Sequence, residues 1–254
     1  MLPSRYCQWS RRSSRRDVIA VATGGIQEKR LSSSEEKVQA AVAPYTKAFL
    51  RVYDLWVVRL SNRYAWRCDA EKMLALYNTH LGERHLEVGP GTGWYLDHAT
   101  FPTSRPAITL LDLSASTLEF TAARLPSAVV APVVGSVLDP VPEAAGAAFD
   151  SIGINYVMHC VPGSFDEKGV AFQNLARVLR DDGVLFGSTI LASGEGRRTL
   201  FGRALMGAYS RIGAFNCRLD DREGLERALK AAFAQVQITM EGDVALFAAH
   251  APHR

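Results

Sequence analysis

Residues 85–96 read HLEVGPGTGWYL. Glycines stand at positions 89, 91 and 93, Glu87 lies two residues ahead of the first, and the aromatic pair Trp94–Tyr95 follows the last. Glycine adopts left-handed backbone conformations freely and lets a ligand approach the main chain closely, so the spacing marks a cradle. A diphosphate is a poor fit. The dinucleotide fingerprint G-x-G-x-x-G requires glycine where this chain has Trp94, and the Gly-Lys-Ser/Thr of a phosphate loop does not follow. Glu87 points the same way, because a carboxylate beside the loop repels phosphate and draws a cation. A second carboxylate, Asp112, ends the apolar run AITLLD 19 residues after Gly93; an acid at a strand end can accept two hydroxyl groups in charge-assisted hydrogen bonds. Further along, GSVLDP carries Ser136, Val137 and Asp139, and INYVMHC carries Asn155, Tyr156, His159 and Cys160.

These residues need elements to hold them. HLEV is the first strand, and AITLLDL (107–113), AVVAPVVG (128–135), FDSIGINYVM (149–158) and VLFGSTIL (184–191) read as the next four. Helical patterns alternate with them. Asp69 caps a helix with Met73, Leu74, Tyr77 and Leu81 on one face, ended by Gly82. In SASTLEFTAARL, Ser116 and Glu119 fit a capping box and Leu118, Ala122 and Leu125 share a face. VAFQNLARVLR groups Phe172, Leu175, Ala176 and Leu179, and Asp181-Asp182-Gly183 turns the chain into the fifth strand. Asp220 or Asp221 caps REGLERALKAAF, and QVQITM and VALFAAH form an antiparallel hairpin around Glu241-Gly242-Asp243. Apolar strands alternating with helices predict a parallel sheet covered on both faces.

The motif E-V-G-P-G-T-G resembles motif I of the class I S-adenosylmethionine (SAM)-dependent methyltransferases, acidic-x-G-x-G-x-G. The resemblance runs over roughly residues 70–250. It implies an α/β fold with a doubly wound, mostly parallel seven-stranded sheet, an antiparallel C-terminal hairpin and an N-terminal helical cap over 35–69. It implies SAM as cofactor and S-adenosylhomocysteine as product. By position, Glu87, Gly89, Gly91 and Gly93 form the cofactor loop, Asp112 takes the ribose hydroxyls, and Leu113 and Ser114 flank the adenine. The chain departs from the family at the next station, where the acid usually follows the glycine directly and here Ser136 stands. Either Ser136 accepts the adenine amino hydrogen or Asp139 reaches back to it, with Val137 packing on the ring. Asn155 falls beside the amino-acid portion. His159, just past the fourth strand, is the candidate general base, and Tyr156 either holds the acceptor or lines the methionine pocket.

Each residue also has a plainer reading. The glycines can make a turn, Asp112 and Asn155 can cap helices, Ser136 and Asp139 can be loop residues, and His159 can be buried structure. The remaining histidines read as surface or strand-end residues, and Cys160 as a small core residue. The aromatic segment 44–68 and the stretch 196–215 are the expected acceptor walls, since small-molecule pockets are largely apolar. Arg203, Tyr209 and Arg211 either orient a polar acceptor or form a solvated helix face. The aromatic cap resembles that of small-molecule methyltransferases of natural-product pathways, which implies transfer to oxygen, nitrogen or carbon of a small acceptor. The alternative on the same stations is a SAM-binding cyclase or pericyclase that transfers no methyl group.

Composition bounds the rest. The 254 residues are 48% hydrophobic and 22% charged with formal net charge +3. Arg5, Arg11, Arg12, Arg15 and Arg16 lie in an acid-free start, which leaves 24 basic against 26 acidic side chains elsewhere. A body that is nearly neutral argues against a nucleic-acid surface, and no apolar run approaches the ~18 residues of a membrane span. Residues 1–34 read as a disordered basic tail, with an organelle transit segment as the other reading. Cys7, Cys68, Cys160 and Cys217 are widely spaced without a CxxC, so the expectation is a reduced cytoplasmic protein with no metal site, monomer or homodimer.

Overall fold

The computed structural model describes residues 62–192 and 199–254. The expected basic tail and the part of the expected cap before residue 62 lie outside them. Helix α1 (Ala70–His80) leads into β1 (Arg84–Val88), α2 (Trp94–His98), β2 (Ala107–Asp112), α3 (Ala115–Arg124) and β3 (Val129–Val134). The chain continues through β4 (Phe149–Asn155), α4 (Phe165–Lys168), α5 (Val170–Ala176), β5 (Leu179–Ile190), α6 (Leu200–Arg211), α7 (Arg222–Lys230), β6 (Phe233–Glu241) and β7 (Val244–Pro252). The seven strands form one sheet in the order β3-β2-β1-β4-β5-β7-β6. β1 to β5 are parallel, and β7 joins β5 and β6 antiparallel. This is the doubly wound Rossmann-like architecture that the alternation of elements predicts. The order reverses at β1, so the carboxyl ends of β1 and β4 flank the switch point where open α/β sheets bind ligands.

Each face of the sheet is covered by its own cluster. Phe165, Phe172, Leu175 and Leu225 of α4, α5 and α7 pack on one face with Leu86, Ile152 and Phe247. On the other, Tyr77, Leu96 and Leu118 of α1, α2 and α3 pack on Ile108, Leu110 and Phe186. β3 contains Pro132, which cannot donate to a ladder and is tolerated because this strand is an edge. Among the described residues no helix is long and apolar enough to cross a membrane.

Several boundaries differ from the sequence expectation for local reasons. The fourth strand stops at Asn155 because Tyr156 has φ of 57°, outside the extended region. The expected helix over 170–180 ends at Ala176, and Leu179 instead pairs with Phe149 at the start of β5. Asp181-Asp182-Gly183 lies in that strand where its register against β4 shifts; a Cβ at Gly183 would sit 3.0 Å from the Phe149 carbonyl. Ser114, not Ser116, caps α3 by accepting from the Thr117 amide at 3.3 Å. Asp221 caps α7 through the Gly224 amide at 2.7 Å. Leu81 is the C-cap of α1, and Gly82 is small because a Cβ there would meet the Asp150 Cβ at 2.4 Å. The C-terminal hairpin turns at Gly242 with φ of 60°, as expected.

Candidate active site

The glycine loop leaves the carboxyl end of β1 and enters α2. Gly89, Gly91 and Gly93 have φ of 62°, 56° and 71°, a region costly for residues with a Cβ. Their surroundings differ. A Cβ at Gly89 would collide with Val157 at 2.5 Å and one at Gly93 with Thr121 at 2.7 Å, whereas nothing lies within 4 Å of one at Gly91. Gly89 and Gly93 therefore let the loop lie against its neighbours, and Gly91 faces open space. The loop is tied down from behind: the Gly89 amide donates to Leu111 at 2.8 Å, and the Thr121 hydroxyl to the Gly91 carbonyl at 3.0 Å. Arg124 donates to the Thr92 carbonyl and also pairs with Asp97.

Asp112 stands at the neighbouring strand end, its carboxylate accepting from the Ser114 amide at 2.8 Å. Burial pushes its pKa up to about 6, opposed by the Ser114 and Leu113 amides. A carboxylate that has lost water and gained only backbone donors is completed by further hydroxyl donors. Leu113 beside it is exposed, an apolar surface at a strand end that suits an aromatic ring. Ser136 accepts from the Leu138 amide at 3.1 Å, and Asp139 is exposed. Val137 is buried in the core cluster, and its carbonyl accepts from Asn174.

Glu87 is not the free carboxylate that the sequence suggested. It is buried, with Oε1 accepting from the Tyr77 hydroxyl and Oε2 2.9 Å from His85 Nε2. His85, read as a surface or strand-end residue, lies near the start of β1, where it is fully buried and stacks on Phe186. Its position in β1 gave no sign of this, because strand ends and buried strand centres differ only in what packs on them.

Across the switch point, Asn155 at the end of β4 accepts a hydrogen bond from the Ser188 hydroxyl. Tyr156 and His159 follow, with His159 edge-on to Phe215 at 4.5 Å and to Tyr156 at 5.6 Å. Phe215 also contacts Trp66 and Tyr209, so these described residues of the two expected wall segments meet the loop after β4 in one aromatic cluster. Arg203 and Arg211 are exposed, while Tyr209 turns inward onto Phe215. Burial and the neighbouring Lys168 charge lower the His159 pKa to about 3, and its Nδ1 has no hydrogen-bond partner among the described residues. Protonation of the candidate base would create a buried cation in the field of Lys168, so the neutral ring is favoured.

Sequence reasoning missed what fixes this wall. Lys168 pairs with Asp220 at 2.7 Å, both side chains fully buried, and donates to the Val161 carbonyl at 3.2 Å. Asn216 holds the His159 and Cys160 carbonyls, and the Asp220 carbonyl accepts from the Ala192 amide. Partners 52 residues apart in sequence leave no local signal. A cleft of about 520 Å³ opens at the opposite, amino-terminal end of the strands, between Arg84, Arg105, Asp150 and Arg180. Arg180 there is already paired with Asp150 and Asp182.

A sheet reversing at β1, a left-handed glycine loop and an acid on the adjacent strand define a Rossmann-like fold built for a nucleoside without diphosphate. A methyltransferase-domain family model matches residues 86–185. The chain is 40% identical over 215 residues to demethylluteothin O-methyltransferase of Streptomyces thioluteus, covering 85% of this chain and 93% of that protein. It is 35% identical over 216 residues to the physcion biosynthesis cluster O-methyltransferase of Aspergillus chevalieri, covering 84% and 96%. The solved DhpI–SAH complex shares the fold, with a TM-score of 0.60 at 16% identity over 87% of this chain and all of that one. The chain belongs to the class I SAM-dependent methyltransferases, in their small-molecule, natural-product branch. It methylates a small-molecule acceptor in secondary metabolism.

Proposed function

We propose that the acceptor atom is the oxygen of an acidic hydroxyl, phenolic or enolic, on a largely apolar molecule. The observation that carries this reading is His159, the polar side chain of the aromatic wall, held neutral with Nδ1 unpaired. A group that resists protonation is a weak base, so the acceptor must ionise with little help. An acidic hydroxyl does. The printed names of both relatives specify O-methyl transfer, in agreement.

On this reading Gly89, Gly91 and Gly93 cradle the cofactor, whose sulfonium supplies an activated methyl group. Asp112 accepts the ribose hydroxyls, Leu113 and Val137 border the adenine, and Ser136 rather than the exposed Asp139 meets its amino group. Asn155 and Glu87 serve the amino-acid portion. The open face of Gly91 and the desolvated Asp112 fit such a ligand. Trp66, Tyr156, Tyr209 and Phe215 enclose the acceptor and exclude water, and His159 orients its oxygen through Nδ1. Such alignment can lower a barrier by ~7–11 kcal/mol without a strong base.

Incubation with SAM and a panel of hydroxylated aromatic and enolic compounds, demethylluteothin among them, tests this. The expected product gains one CH₂ equivalent as a methyl ether. Transfer to nitrogen or carbon alone would reject the oxygen assignment.

A further inference from the structure

Tyr77 lies in α1 with its ring stacked on Tyr95, at a centroid distance of 5.4 Å, and edge-on to Phe186. Its hydroxyl donates to Glu87 Oε1 at 2.5 Å. Burial and the Glu87 charge hold the phenol well above its usual pKa, so it stays a donor at any working pH. Behind the other carboxylate oxygen stands a directional chain. The Gly82 amide donates to Ser151 Oγ at 2.8 Å, Ser151 Oγ lies 2.8 Å from His85 Nδ1, and His85 Nε2 lies 2.9 Å from Glu87 Oε2. The serine oxygen accepts from the amide and keeps its hydrogen to give to Nδ1, and in that arrangement Nε2–H donates to the carboxylate. The backbone keeps the space clear, since a Cβ at Gly153 would lie 2.3 Å from Glu87 Oε2 and 3.2 Å from His85 Cε1.

Among the described residues, Glu87 is held by the Tyr77 hydroxyl and the His85 ring, and no lysine or arginine pairs with it. A buried carboxylate without such a partner carries a charge that low-dielectric surroundings penalise, and a cation relieves the penalty. Glu87 sits two residues before the loop whose open face is Gly91. We propose that Tyr77 and His85, with Ser151 behind His85, are positioning residues that present the Glu87 charge to the ammonium group of the cofactor's amino-acid portion. This rests on the assignment of Glu87 to that portion.

The test compares two ligands by calorimetry: S-adenosylhomocysteine, which carries the ammonium, and 5′-deoxy-5′-methylthioadenosine, which lacks it. Tyr77→Phe removes one oxygen and keeps both ring contacts, and His85→Phe keeps the stack on Phe186. Each is expected to weaken S-adenosylhomocysteine about tenfold, the scale of one hydrogen bond to a charged group. Methylthioadenosine affinity should stay within about twofold. His85→Gln, which restores a donor toward Glu87, should recover most of the loss. If Glu87→Gln discriminates between the ligands but Tyr77→Phe weakens both equally or neither, the positioning role is wrong and the Glu87 assignment stands. If Glu87→Gln itself leaves the ratio of the two affinities unchanged, both fall. Should His85→Phe fail to fold, Tyr77→Phe alone decides by the same criterion.

Discussion

The two sides of the switch point solve different problems. Around β1 and β2, the glycine loop and Asp112 are held by backbone, through left-handed glycines and amides donating to the carboxylate, and Glu87 by the side chains of Tyr77 and His85. Around the ends of β4 and β5, the site is an aromatic cluster in which His159 Nδ1 and Asp220 Oδ1 have no hydrogen-bond partner among the described residues. Exposed apolar side chains, Leu200 and Ile212, lie on the same side, in and just after α6. An invariant nucleoside can be met by fixed main chain. A particular acceptor is met by side chains that long-range packing has to place.

The largest effect should come from breaking the packing on the acceptor side. Lys168→Ala leaves Asp220 as an uncompensated buried acid and should cost ~3–5 kcal/mol in denaturant unfolding, as broken buried pairs do. The double change Lys168→Met with Asp220→Leu should restore most of it; an equal loss in both variants would mean that packing volume, not charge, matters there.

On the cofactor side the expected losses are in affinity. Asp112→Ala should weaken S-adenosylhomocysteine by ~10- to 100-fold, since hydrogen bonds to charged groups contribute ~1.5–3 kcal/mol, while exposed Asp139 changed to Ala should have little effect. Similar small changes at both would erase the distinction between a desolvated and a solvated acid. The same carboxylate sets a pH dependence. With a pKa of about 6, Asp112 is mostly ionised at pH 7 and protonated at pH 5, so affinity should fall as pH drops through 6, by ~10-fold over that span. Asp112→Asn should bind weakly with no such slope.

His159 sharpens the comparison by its silence. With a pKa of about 3 it contributes no acid limb to the pH–rate profile near neutrality, so His159→Ala should raise acceptor KM while S-adenosylhomocysteine affinity holds. A limb near pH 6.5 that vanishes in the variant would restore it as a base. Its stability effect has a definite sign. The unfolded chain takes up a proton near pH 6.5 that the folded protein refuses until about 3, so stability contributed here is complete above 6.5 and falls as pH drops below it. His159→Phe should therefore flatten the stability profile between pH 6.5 and 4. The smallest effect should come from removing residues 1–34, with ligand affinity by calorimetry staying within about twofold.

Much of the cofactor side was legible because its determinants are contiguous. Three glycines in five residues and an acid closing an apolar strand can be read without knowing what packs on them. Glu87 was legible as an acid beside the loop but not as a buried one, since Tyr77, His85 and Ser151 come from separate elements. On the acceptor side, aromatic content identified segments 44–68 and 196–215, yet not that Phe215 would join Trp66, Tyr209 and His159. The ends of β4 and α5 were misplaced because Tyr156 takes a left-handed conformation and Leu179 is drawn into β5, choices that neighbouring strands impose.

By itself, the order of residues determined the parallel α/β core, the hairpin that closes it and the left-handed glycine turn after β1, because periodicity and backbone permissiveness are local properties. Tertiary structure alone decided which charges are buried and what state they are in. His159 stays neutral because burial among Phe215 and Tyr156, and then the Lys168 charge, disfavour its cation, and Glu87 is restrained because α1, packed on β5, brings the Tyr77 hydroxyl to it. Desolvation and electrostatic pairing depend on distance in space, and residues 52 apart such as Lys168 and Asp220 meet only once the sheet has brought their loops together.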